Sequence, residues 1–126
     1  MRAERENVSG IEDPLLTEEQ RAIIDYTSDD WYGLWEVDWW LNSAFPDWSF
    51  NRRVEFVSQL VRQGLLEIFY GHHREEHRAL SCQEAEKALG QIENWRPRNI
   101  EEEPVYEAST SKAGLAALMP RASHAK

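Results

Sequence analysis

Five of the six tryptophans in this chain fall within residues 31–48, beside three acids (Glu36, Asp38, Asp47) and no base. So much ring area in 18 residues must be buried against the rest of a small fold or held against something else. The spacing predicts a helix from about Trp31 to Ala44, stopped before Pro46. At 100° per residue, Trp31, Trp35, Trp39 and Tyr32 share one arc, while Leu34, Val37, Leu41, Ala44 and Phe45 share the next. Only the sector around Glu36 is clearly polar. A helix this apolar is central to its domain, or half of it faces a partner. Asp38 and Asn42 lie one turn apart in the apolar sector and, if buried, need polar company, which Arg52 or Arg53 can supply.

The flanking segments carry conventional signals. Thr17-Glu18-Glu19-Gln20 is a capping box that opens a helix over about 18–27 with Ala22, Ile23 and Tyr26 inward. Ser28-Asp29-Asp30 breaks that helix and offers a cap for the tryptophan helix. Ser49 starts a third helix, about 50–63, with Phe50, Val54, Val57, Leu60 and Val61 on its inner face and Gly64 at C′. Leu65 to Tyr70 reads as a strand, and the polar run His72 to Arg78 as a loop or hairpin tip. Ser81-Cys82-Gln83-Glu84 is a second capping box, for a helix over 82–95 with Ala85, Ala88, Leu89, Ile92 and Trp95 inward. Strand 104–109 and a short helix ending near Leu118 close the pattern. Residues 1–14 read as a flexible arm, 15–119 as one domain and 120–126 as a tail.

Charge narrows the functional classes. The 126 residues hold 14 Lys and Arg against 23 Asp and Glu, a net charge of -9. Aromatic and acidic character coincide in 31–48, whereas a nucleic-acid surface interleaves aromatics with bases. A single cysteine, Cys82, excludes an internal disulfide framework. No run of apolar residues is long enough for a membrane span, and Met1 to Glu6 has no signal-peptide core. The expected address is cytoplasmic, without membrane contact.

The chemical motifs weigh against catalysis. His73-Arg74-Glu75-Glu76-His77 matches H-x-x-E-H, yet nothing apolar flanks it to hold a helix, and no third ligand is evident. Neither a metal nor a cofactor is expected. Cys82 sits at a helix N-terminus, where a thiol pKa can fall, but no partner set for a nucleophile accompanies it. The six glycines are scattered and form no phosphate loop.

Three helices, then Gly64-Leu65-Leu66 and a strand, then a later strand running into Thr110-Ser111-Lys112-Ala113-Gly114-Leu115-Ala116-Ala117-Leu118, make an order that resembles a winged helix-turn-helix domain. The residues carrying the resemblance are Val57 to Tyr70 and Tyr106 to Leu118. It implies a mostly helical α+β fold with a small antiparallel two-stranded wing, and here an insertion at 72–103 that includes a helix. It also implies that helix 50–63 would enter a DNA groove through Asn51, Arg52, Arg53, Gln59, Arg62 and Gln63, with His72, His73 and Arg74 at the wing.

Segment 49–64 has a local charge of +2, and the rest of the chain sums to -11. Phosphate neutralisation drives DNA affinity, and this chain offers little of it. The first expectation is therefore a non-enzymatic protein-interaction module, an adaptor or an inhibitor or immunity-like protein, docking a basic partner. Its binding residues would be Trp31, Tyr32, Trp35, Trp39, Trp48, Glu36 and Asp47, because exposed Trp and Tyr anchor interfaces and an acidic rim selects basic partners. The alternative is a DNA-binding regulator acting through helix 50–63. The sequence leaves oligomeric state open.

Overall fold

The Thr17 hydroxyl accepts the Gln20 amide at 3.0 Å while the Gln20 side chain accepts the Thr17 amide, so the first capping box forms as written. It opens α1, Glu18–Tyr26, in a computed structural model that describes residues 16–72, 77–99 and 102–118. There follow β1 (Tyr32–Gly33), α2 (Leu34–Ala44), α3 (Phe50–Arg62), β2 (Leu66–Gly71), β3 (His77–Ala79), α4 (Cys82–Leu89), a 3-10 turn (Ile92–Trp95), β4 (Val105–Thr110) and α5 (Lys112–Leu118). The strands form an antiparallel sheet of order β1-β4-β2-β3. The expected pairing of the two long strands is present, with Leu66 opposite Thr110 and Tyr70 opposite Tyr106. The expected two-stranded wing is instead a four-stranded sheet, because β1 and β3 each add to an open edge of the β2–β4 pair.

Alternation divides the sheet into two faces. Leu66, Ile68 and Ala108 point at the helices and join Ile23, Ile24, Leu34, Val37, Leu41, Val57, Leu60 and Leu89 in one buried core. The last turn of α1 is tied to β4 by polar contacts inside that core. Thr110 Oγ1 donates to the Ile24 carbonyl at 2.6 Å and lies 2.8 Å from Thr27 Oγ1. The opposite face carries Phe69 and Glu107, which share a register position with Gly33.

The run expected as a loop over His72 to Arg78 gives His77 and Arg78 to β3, where they pair with Gly71 and Tyr70. Two helix boundaries also depart from the sequence pattern. The tryptophan helix starts at Leu34, not Trp31. Tyr32 and Gly33 are extended to pair with Ala108 and Glu107, and the cap comes from Glu36, whose carboxylate accepts the Gly33 amide at 2.8 Å. Ser28 to Asp30 does not cap it. A Cβ on Gly33 would lie 2.3 Å from the Trp35 ring, so the absence of a side chain there lets the indole fold back over the strand. The second departure is the helix expected over 82–95, which ends at Leu89. Trp95 Nε1 donates to the Leu89 carbonyl at 2.9 Å and Asn94 Nδ2 to the Ala88 carbonyl at 2.8 Å. These side chains take carbonyls that further helix would have used. Ile92 consequently points outward, 58% exposed, whereas Trp95 is buried as expected.

Candidate aromatic docking surface

The late start of α2 takes Trp31 and Tyr32 out of the arc that a longer helix would have given them. Trp31 lies on the sheet face away from the core, in edge contact with Phe69 and His77. Trp35 lines a small cleft of about 190 Å³ with Tyr70, Asn94, Arg98, Pro104, Val105 and Tyr106. Trp39 stands out into solvent, 68% exposed. Tyr32 and Trp48 alone among the expected anchors fall in one continuous aromatic surface. Glu36 is committed to the α2 cap, and Asp47 is exposed beside Trp48.

That surface joins α1, β1, α2, the α2–α3 turn and α3. Tyr32 stacks on Tyr26 at 4.5 Å between centroids, and Tyr26 stacks on Trp40 at 4.8 Å. Trp40 meets Phe45 edge-on at 6.3 Å, Phe45 stacks on Trp48 at 4.5 Å, and Trp48 meets Phe56 edge-on at 5.0 Å. All six rings are half-buried. The Arg52 guanidinium lies 4.2 Å from the Trp48 centroid and closes that stack with a cation–π contact. The sequence reading missed Tyr26, Trp40, Phe45 and Phe56. A local signal existed for Phe45: the Pro46-Asp47 turn brings it under Trp48, whose amide donates to the Phe45 carbonyl at 3.0 Å.

The tyrosine end of the surface is electronegative. The Tyr32 hydroxyl donates to Asp29 Oδ1 at 2.7 Å. That bond, then desolvation, then the charges of Asp29 and Asp30, push the phenol up to about 12. Tyr26 is also raised, first by burial and then by the charges of Glu36 and Asp29. A raised phenol pKa contributes stability that is full below the unfolded value near 10 and is lost as pH climbs through the folded value. Wild-type protein should therefore lose stability between about pH 10 and pH 12. Tyr32→Phe should lose less over the same window, as read from urea midpoints. Equal losses in the two proteins would show that the Asp29 bond is not formed in solution.

The helix considered for DNA has its arginines engaged elsewhere. Arg53 donates through Nε to Asp38 at 2.5 Å, and through Nη1 to Asn42 at 3.2 Å and the Trp48 carbonyl at 2.8 Å. The partner expected for Asp38 and Asn42 is thus Arg53. Arg62 is held at 2.7 Å by Glu55 on its own helix and at 2.7 Å by Glu86 on α4. Gln63 accepts from Gln20 at 3.3 Å, while Asn51 and Gln59 are exposed. Arg74 and His73 lie outside the described residues, as does most of the H-x-x-E-H motif.

On the other sheet face, His77 Nδ1 lies 3.5 Å from Oε1 of Glu107, a carboxylate only 1% exposed. Phe69 stacks on the imidazole at 5.0 Å. Cys82 is exposed, and its thiol is raised by desolvation and by Glu86, the opposite of what activates a nucleophile. Among the described residues no cluster of His, Cys, Asp or Glu could hold a metal ion. Nor is any helix among them long and apolar enough to cross a membrane.

Comparison with models of protein families, with curated proteins and with solved structures returns no match to this chain.

Proposed function

We propose that the chain is a small acidic protein-interaction module without enzymatic activity, which docks a basic protein partner through its aromatic surface. The observation that carries this reading is the unbroken series of six half-buried rings from Tyr32 to Phe56. Rings packed edge to face and stacked are already ordered, so little side-chain entropy is lost when a partner covers them. Carboxylates at Asp29, Glu36 and Asp47 border the series, and they favour a partner of opposite charge. The centre of the site thus moves from the Trp31–Trp35–Trp39 arc to Tyr32, Tyr26, Trp40, Phe45 and Trp48.

The architectural part of the proposal is a winged helix-turn-helix arrangement with an elaborated wing. Its support is the order α1, α2, α3, then the antiparallel β2–β4 pair leading into α5, with residues 72–104 between the two strands. DNA binding through α3 draws less support. Arg53 faces inward, and Arg62 is neutralised in part by a glutamate from the inserted helix α4. Arg52 is the α3 arginine without a carboxylate among its described contacts, and it lies on Trp48.

Affinity capture from cells of the source organism tests the reading when run in parallel on wild type, Trp40→Leu and Gln59→Ala. Trp40 belongs to the aromatic surface and Gln59 to the outer face of α3. The expected result is a protein recovered with wild type and Gln59→Ala and lost with Trp40→Leu. Recovery of DNA, lost with Gln59→Ala, would install the DNA-binding reading in its place.

A further inference from the structure

The aromatic surface consists of two stacks that meet at the Trp40–Phe45 edge contact, and their outer ends differ. One stack, Phe45 on Trp48, is closed by the Arg52 guanidinium. The other, Trp40 on Tyr26 on Tyr32, ends at the half-buried Tyr32 ring, and among the described residues no cation lies over it. The same end holds the Asp29 carboxylate, hydrogen-bonded to the Tyr32 hydroxyl, with Asp30 adding to the negative field. We propose that the outer face of Tyr32, with Asp29 beside it, is the receptor for an arginine side chain of the protein partner. This inference rests on the interaction-module reading and assigns its anchor.

Two features select a guanidinium, and a third favours any cation. The ring face offers negative quadrupole density, and a planar cation can stack on it as Arg52 does on Trp48. Asp29 has one oxygen engaged by the tyrosine and is an exposed residue, so its carboxylate is within reach of a guanidinium fork. The Tyr32 phenol is raised first by its bond to Asp29 and by burial, and then by the charges of Asp29 and Asp30, a negative field that a cation would relieve. Lysine, a compact and strongly hydrated point charge, gains the field but not the stacking. A phosphate backbone is repelled by the same carboxylates.

The test uses the full chain, labelled with 15N, and three capped peptides as probes: hexa-arginine, hexa-lysine and hexa-glutamate. Hexa-arginine should shift the amides of residues 26–33 and bind about two- to fivefold more tightly than hexa-lysine, the range expected of one exposed cation–π contact. Hexa-glutamate should not bind. Tyr32→Leu and Asp29→Asn should each remove most of the arginine preference, Tyr32→Phe should keep it, and Trp39→Ala should not change it. Asp29→Asn keeps the inference testable if Tyr32→Leu fails to fold. Equal binding of the two cationic peptides at residues 26–33 would overturn the arginine site and leave the basic-partner reading standing. Absence of any cationic binding to the aromatic surface would overturn both. Binding that emerges only in an Arg2→Ser/Arg5→Ser variant would identify the occupant as the chain's own arginine and overturn the assignment to a partner.

Discussion

Replacing Arg53 with alanine should destabilise the protein by about 2–3 kcal/mol, more than any other single charge removal on α3. The side chain is only 11% exposed and satisfies three acceptors on two parts of the chain: Asp38 and Asn42 on α2, and the Trp48 carbonyl in the turn. Its loss leaves a largely covered carboxylate and a carbonyl unpaired, and the cost of that exceeds what the pair itself contributes. A loss at or just below the range for broken buried pairs is expected because Asp38 keeps some contact with water. An Arg53→Met/Asp38→Leu double variant should recover much of the loss, since neither charge is then stranded. Urea unfolding of the two single variants and the double variant would measure the coupling. A loss below about 0.5 kcal/mol in Arg53→Ala would mean that the arginine is solvated like an ordinary surface residue. The result also bears on DNA binding: any effect of Arg53→Ala on a nucleic-acid assay has to be corrected for unfolding first.

Leu41→Ala should cost about 2–5 kcal/mol. Leu41 is fully buried and lies with Leu34 and Val37 on the α2 face that packs in the central core with Val57, Leu60 and Ile68. Truncation removes the transfer free energy of the deleted atoms and leaves a cavity that helices pinned on two sides cannot close. Arg53 holds α2 to α3, and the β1–β4 pairing holds its start to the sheet. The same substitution one residue earlier, Trp40→Ala, deletes a larger side chain but from a half-buried site, so it should cost less stability and more binding. Thermal or chemical unfolding of both variants, compared with their retention of a captured partner, separates core from surface.

The local signals were legible because their physics is local. Thr17 with Gln20, Ser49, and Ser81 with Glu84 each cap a helix within four residues, and each helix begins where its cap predicts. The inward faces of α2 and α3 followed from periodicity, and Leu34, Val37, Leu41, Val57 and Leu60 are buried. Asp38 and Asn42 stood out in the apolar sector, and one of the two arginines named for them bonds both, although Asn42 is exposed and Asp38 only partly covered. What periodicity could not supply was where α2 begins. Wheel arithmetic continues through Trp31 and Tyr32 as readily as through Leu34, and the residues that hold Tyr32 and Gly33 extended instead, Ala108 and Glu107, are more than 70 positions away.

That long-range pairing decides the candidate site. In a helix Trp31 and Tyr32 would share an arc; in extended chain entering a strand they point to opposite faces. Tyr32 therefore joins Tyr26 and Trp40, while Trp31 goes to Phe69 and His77 behind the sheet. The length of α4 was settled in the same way, by Asn94 and Trp95 turning back onto carbonyls that no propensity marks as taken. The sequence by itself determined the caps of α1, α3 and α4, the core faces and the acidic, tryptophan-rich character of residues 31–48, because each depends on neighbours within a few turns. Only the tertiary structure decided which rings form one surface, because that depends on an edge strand finding its partner across the chain.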